Sequence, residues 1–504
     1  CGVCVVSQFR FQAHRVHPSM PFITTCRAMR PVHACTRHIT AAMLLVSAVA
    51  DGGHLGVELS LEEVSTRMRY WSEASTPAFA GTKDNDHKYL LMEQDGAGLN
   101  NKRICWEMAG LVALETGRTL VLPPNTVWWA IDANGTTSKT EDFINLEQLR
   151  SGLPVLTFRE FVQKEQKALE LPTWAAHEDL TGADVQTWTR FALTRFKLPG
   201  ATQEEWCDLA NYRSDEVVIY VNHVPEGRLL LCEAWWKLGE PKFFEASQPW
   251  VVPSSAYSLL RNNFVWHKDV FRLAAPIVRE LGLFRYVALH ARFNDFNEFN
   301  PSSVQSAQGI MDKWVSPGAG HQVLLQRGHS LRIPDNPGMS TLQTTARSRA
   351  RASLILQRIM HWVSPGTVLY ISTDESDESF LRAFRERGID ARWSRDFFDQ
   401  ADSPIAAMVA QDRVRANKLR GCVEQVICTF SRLFLGTKKS TFSGYITRMR
   451  IYANAPQRGF SEETRLFHTM QPTSELTAAV EREMQEWEAR GGFMRIDRDA
   501  PGLF

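Results

Sequence analysis

88-KYLLMEQDGAGLNNKRICWEMAGLVALETGRTLVLPP-124 decides how the rest of the chain is read. Lys88 to Met92 is a short apolar run bounded by a loop, the pattern of a buried strand. The loop Glu93 to Leu99 carries Gly96 and Gly98. From Asn101 to Thr116, Ile104, Met108, Leu111 and Val112 recur at three- and four-residue steps, which predicts a helix. Gly117 stops it, Thr119 to Leu122 reads as the next strand, and Pro123-Pro124 ends that strand. Strand, glycine loop, helix and strand open an α/β layer with a parallel sheet.

The same alternation returns downstream. Val217 to Val221 and Leu229 to Cys232 are weak strands in an otherwise irregular, Trp-rich stretch, 125–250. A long helix is expected from Trp266 to Leu281, then a buried strand at Tyr286 to His290. Residues 297–345 turn to Ser, Gly, Gln and Pro without period and read as an insertion. Helix 350–363, strand 368–372, helix 378–387, strand 389–393, helix 415–429, strand 433–436 and helix 444–452 follow, with a last helix at Ser474 to Ala489. The expected organisation is a leader (1–50), a spacer (51–87), an N-terminal Rossmann-like domain (88–275), a C-terminal one (276–470) and a helical tail (471–504).

Basic and acidic residues nearly cancel, 57 against 56, which argues against a general nucleic-acid binder. Read from Met29, Arg30 and Arg37 precede an apolar run, Ile39 to Ala50, that ends Ala48-Val49-Ala50. That order describes a cleavable signal peptide, with a short anchor or, since the stretch before Met43 is acid-free, an organelle transit peptide as its rivals; the run is shorter than the roughly 20 residues a membrane span needs. No stable membrane span is expected beyond it. Cys105, Cys207, Cys232, Cys422 and Cys428 lie outside the leader, and in an oxidising lumen some of them would pair. No Cys/His ligand spacing points to zinc. Asn134-Gly135-Thr136 is a glycosylation acceptor in a chain that enters the lumen.

Three loops stand where a strand hands over to the next element, the place where open parallel sheets bind ligands. Gly96-Ala97-Gly98-Leu99-Asn100-Asn101 lets backbone approach a ligand before a helix N-terminus that favours anions, or is a tight turn with an Asn cap. In His290-Ala291-Arg292-Phe293-Asn294-Asp295, Arg292 needs an anionic partner, either a diphosphate or Asp295. Thr437 to Gly444 is rich in hydroxyls and backbone donors, suited to cradling an anion or to an ordinary Ser/Thr cap. A fourth piece, Ser372-Thr373-Asp374-Glu375, ends a strand with carboxylates able to accept two donors from a guanine edge, to bind a metal or to cap a helix. Asp84-Asn85-Asp86 spells a short metal-binding string, but it precedes the first strand instead of ending one.

In this order the four pieces resemble the GDP-fucose protein O-fucosyltransferase superfamily over residues 88–460. The resemblance is carried by Gly-Leu-Asn-Asn-Lys-Arg (98–103) with Gly-Arg-Thr-Leu-Val-Leu-Pro-Pro (117–124), His-Ala-Arg-Phe-Asn-Asp-Phe (290–296), Leu-Tyr-Ile-Ser-Thr-Asp (369–374) and, most specifically, 424–446. It implies an α/β, GT-B-like fold, with two Rossmann-like domains facing a cleft. It also implies inverting transfer of fucose from GDP-fucose to a Ser or Thr hydroxyl of a luminal glycoprotein, with no cofactor and no metal. By that resemblance Arg292 grips the β-phosphate, His290 lies beside the nucleotide and Asp374 reads guanine. Ser440, Thr441 and Phe442 donate to the phosphates through side chain and backbone, Ser443 and Gly98 belong to the same GDP-fucose site, and Asn101, or its neighbour Asn100, reaches across from the first domain as a catalytic candidate. Some members place a Glu before the Gly-x-Asn element as base. Ala97 stands there in this chain, which leaves Asp95, Glu93, a substrate-assisted route or no dedicated base. The same fold also admits a polysaccharide transferase, of rhamnose for example, and a non-catalytic glycan-binding relative.

Overall fold

The computed structural model describes residues 59–72, 87–93, 98–125, 137–177, 180–200, 205, 208–221, 258–293, 341–360, 362–437, 440–455, 464–467, 482 and 485. The leader, Asp84 to Asp86, Asp95, Asn134, Cys207, the strand expected at Leu229 to Cys232, Asp295 and the helix expected from Ser474 lie outside these residues or almost wholly so.

Helix α1 (Leu61–Met68) falls in the stretch expected to be a spacer. Ser60 and Glu63 form a reciprocal capping box, and Val64 and Met68 enter the core. The first sheet holds β1 (Tyr89–Met92), β2 (Thr119–Val121), β3 (Val155–Leu156) and β4 (Val218–Val221) in the order β3-β2-β1-β4, all parallel. Helix α2 (Leu99–Thr116) joins β1 to β2 and ends at Gly117, whose φ of 69° only glycine adopts without strain. The stretch expected to be irregular contains α3 (Leu146–Arg150), α4 (Phe158–Glu165) and α5 (Gly182–Arg195).

Helix α6 (Lys268–Leu281) runs unbroken through the expected domain boundary at 275/276 and stops at Gly282, φ +86°. The second sheet then forms from β5 (Val287–Ala291), β6 (Val368–Thr373), β7 (Asp390–Trp393), β8 (Leu433–Thr437) and β9 (Thr464–Phe467), ordered β7-β6-β5-β8-β9 and again all parallel. Its helices are α7 (Thr341–Ile359), α8 (Glu378–Arg385), α9 (Ser394–Phe398), α10 (Ala406–Gln411), α11 (Arg413–Thr429) and α12 (Thr441–Tyr452). Helix α7 begins at Thr341, so the last residues of the expected insertion are helical.

In both sheets the chain steps outward from its first strand and then returns to that strand's other side. This reversal, between β1 and β4 and between β5 and β8, is the switch point at which doubly wound sheets bind ligands. Alternation along each strand sorts the side chains. Leu90 and Met92 face one core and Tyr89 and Leu91 another. Ala288 faces the same core as Leu90, while Val287, Leu289 and Ala291 face the far side of the second sheet. The inner faces of both sheets therefore share one apolar core with α1, α2, α6, α11 and α12.

Close packing inside that core is tight at Gly110 on α2. A Cβ there would lie 2.6 Å from two ring carbons of Phe264. Gly110→Ala is expected to destabilise the fold by about 1–3 kcal/mol through overpacking, read as a lower urea midpoint at unchanged slope.

Candidate functional site

Four segments bring the chemistry together: the carboxyl ends of β5 and β6, and the amino ends of α2 and α12. The pairing of β5 with β8 stops at Leu289 and Leu435. Beyond it, the Thr437 hydroxyl spans the gap, donating to the His290 carbonyl (2.8 Å) and accepting from the Arg292 N–H (3.1 Å). That bridge fixes the backbone from which the Arg292 side chain departs.

His290 stands two residues after Ala288 and so faces inward. Its Nδ1 lies 2.7 Å from Ser443 Oγ, and its ring stacks on Phe442 with centroids 4.5 Å apart. Burial, and then the charge of Arg292, push its pKa down to about 3. His290 is therefore a neutral hydrogen-bonding surface at neutral pH, not a second cation. The ordinary value is 6.5, so between pH 6.5 and about 3 the unfolded chain binds a proton that the folded chain refuses. Stability from this group is full above that window and falls on acidification by at most ~1.4 kcal/mol per pH unit. A His290→Gln variant is expected to lose stability less steeply than the parent across this window in urea titrations at stepped pH.

Arg292 is one-third exposed and its Nε lies 3.8 Å from Asp374 Oδ2. Asp374 Oδ1 accepts from the Phe293 N–H at 3.0 Å. Asp374 thus braces both Arg292 and the turn after β5, a role the sequence reading did not give it. Its side chain keeps 23% exposure. Nearby, Glu424 on α11 accepts from Ser372 (2.5 Å), and burial raises its pKa. Neither Glu424 nor Gln425 was singled out from the sequence, although both lie in the stretch 424–446.

Two helices begin here without side-chain caps. Gly98 is the N-cap of α2, and it has no side chain to offer. Ser440 is the N-cap of α12, yet its buried hydroxyl makes no capping bond. It is not the ordinary cap that the sequence also allowed. No acidic residue lies in the first turn of either helix. Both termini keep the positive end of the helix dipole and its N–H donors for an anion. They are tied together by Gln425, whose Nε2 donates to Asn100 Oδ1 (2.9 Å) in the second position of α2 and to the Phe442 carbonyl (3.2 Å) in the second position of α12. Asn100 is buried, while Asn101, Thr441 and Phe442 are half-buried.

Behind these termini the two helices are clamped. Glu107 on α2 accepts from Arg103 Nε at 2.9 Å and from Arg448 of α12. The Arg103 guanidinium is sandwiched between Trp266 and Tyr445, 3.9 and 4.0 Å from their centroids. The i, i+4 spacing of Arg103 and Glu107 looks in sequence like an exposed helix pair, so nothing there marked it as buried. Further out, Asp142 receives Arg415 (3.0 Å) and Lys418 (3.2 Å) from α11.

Asp95 lies outside the described residues. Cys105, Cys422 and Cys428 are buried and form no disulfide, so the expected pairing does not occur among the described cysteines. Among the described residues, no group of His, Cys, Asp and Glu is arranged to hold a metal ion. No helix among them is long and apolar enough to cross a membrane.

The family model described as GDP-fucose protein O-fucosyltransferase matches residues 89–453. No curated protein matches the chain. Among solved structures, POFUT1 in complex with GDP-fucose is similar at 16% identity over 78% of this chain and 100% of that one, with a TM-score of 0.37. The NodZ alpha-1,6-fucosyltransferase co-crystallised with GDP is similar at 12% identity over 73% and 92%, TM-score 0.34. A fucosyltransferase NodZ from Bradyrhizobium gives 10% identity over 72% and 91%, TM-score 0.35.

Proposed function

The chain belongs to the GDP-fucose protein O-fucosyltransferase family and is a glycosyltransferase of GT-B-like fold, and from that premise we propose that it moves fucose from GDP-fucose to a Ser or Thr hydroxyl of a luminal protein, with inversion. The observation that carries the reading is the joining by Gln425 of two uncapped helix N-termini, one from each half, with Phe442 and Ser443 of α12 packed on His290, two residues before Arg292. Charge separates as the bond breaks: positive at the anomeric carbon, negative on the leaving diphosphate. Arg292 and the first-turn N–H groups of α12 stabilise that negative charge more in the transition state than in the ground state. Asn100, Asn101 and Gly98 approach the same anion from α2. Neutral His290 supports the nucleotide side through Ser443 and Phe442, and Asp374, which also holds Arg292 and the turn after β5, reads guanine.

In this scheme the positive charge comes from protein groups, so a chelator leaves the rate unchanged. The test is turnover of GDP-fucose, GDP-mannose and UDP-rhamnose by the purified protein, with peptide acceptors. Preference for GDP-fucose supports the proposal; preference for UDP-rhamnose, or nucleotide binding without turnover, overturns it. The luminal setting rests on the leader-like order from Met29 to Ala50 and the acceptor at Asn134. Expression in a eukaryotic cell should yield a chain cleaved after Ala50 and shortened in apparent mass by glycosidase; an uncleaved cytosolic chain overturns that part.

A further inference from the structure

We infer that Gln425 is a positioning residue that sets the hydrogen-bonding polarity of Asn100, turning its NH2 group toward the donor diphosphate. The inference rests on the GDP-fucose reading above. The side-chain amide of Gln425 touches two groups with one end: the Phe442 carbonyl at 3.2 Å and the Asn100 side chain at 2.9 Å. A backbone carbonyl can only accept. The end of Gln425 that meets it must be the NH2, because the flipped amide would set oxygen against oxygen.

The same NH2 then demands an acceptor from Asn100, so Asn100 must present Oδ1 inward and Nδ2 outward. The Phe442 carbonyl thus fixes the orientation of a side chain on the other half of the molecule, through one amide. Gln425 is fully buried, and its Oε1 has no hydrogen-bond partner. The orientation is therefore imposed from the NH2 side alone. Asn100 Nδ2 makes no hydrogen bond among the described residues, and it sits in the first turn of α2, where the helix dipole favours an anion. Reversed, the same side chain would point a carbonyl oxygen at a diphosphate.

This predicts an ordering that packing alone does not. In Gln425→Glu the carboxylate can only accept, so Asn100 must turn its NH2 inward and its oxygen outward. In Gln425→Met, Asn100 loses its partner but is free to rotate. GDP affinity, measured by calorimetry, should fall at least about tenfold with Glu and only about two- to fivefold with Met. In an Asn100→Ala background the Glu and Met variants should bind GDP equally, even where their melting temperatures still differ.

A Glu–Met gap in GDP affinity that persists in that background overturns the inference, since Gln425 would then act by packing or charge. Should Gln425→Glu fail to fold, Asn100→Asp asks the same question: it places an oxygen where the NH2 stood. Asp should bind GDP at least about tenfold more weakly than the parent and more weakly than Asn100→Ala. Asp binding as well as Ala overturns the inference. If the parent chain has no affinity for GDP, the GDP-fucose reading falls and this inference with it; intact parent affinity with a persisting gap removes this inference alone.

Discussion

Arg292→Ala is expected to slow turnover of GDP-fucose by ~10²–10³-fold, the size seen when one donor aimed at a developing oxyanion is removed. Three features support so large an effect. The Arg292 backbone is fixed by Thr437 at the β5–β8 switch point. Its guanidinium is braced by Asp374, so little reorganisation is needed as charge develops. It also has one-third of its surface open to a ligand. Because the stabilised charge grows as the glycosidic bond breaks, GDP affinity should fall less than turnover does. Arg292→Lys should recover only part of the rate, since an ammonium cannot reproduce the planar fork on two phosphate oxygens. Equal loss of affinity and turnover would assign Arg292 to ground-state binding alone.

Removing the carboxylate of Glu107 should give the largest stability change. Glu107→Ala is expected to cost about 3–5 kcal/mol, because it leaves two buried arginines without their shared counter-charge. Arg103, Glu107 and Arg448 are each no more than 2% exposed, so water cannot replace what is lost. The π-faces of Trp266 and Tyr445 would still hold Arg103. Arg448 lies over Tyr445 and Tyr452 at 5.2 and 5.6 Å, farther than Arg103 from its rings, so it would keep the weaker π support. Urea unfolding reads the effect, and a cycle with Arg448→Ala separates the pair: the double variant should lose clearly less than the sum of the singles. Additive losses would show that the clamp is not one unit.

The parallel sheets were legible because buried strands such as 88–92, 286–290 and 368–372 are apolar runs flanked by loops, a signal that needs no tertiary context. The helix starts after β1 and β8 were legible for a similar reason: strand, small or hydroxyl-rich loop and helix follow one another directly in sequence. The clamp was not legible. Lys102, Arg103 and Glu107 are charged residues on a helix, and it is tertiary packing, with Trp266 and α12 closing over Arg103 and Arg448 reaching Glu107, that takes such groups out of water. Gln425 was hidden in the same way, since its two partners lie 325 and 17 residues away. Helix α1 escaped because a short helix in a polar stretch declares itself only by its cap, Ser60 with Glu63, and by two apolar residues.

The apolar core common to the inner faces of both sheets has a consequence for engineering and for evolution. A cut near Gly282 would leave each fragment with a sticky, unmatched flank, so neither half is a portable module. Grafting helices from a relative would require transplanting α11 and α12 together with the segment of α2 that they grip, or else accepting insoluble chimaeras. A substitution at this seam must therefore be matched on both of its sides at once.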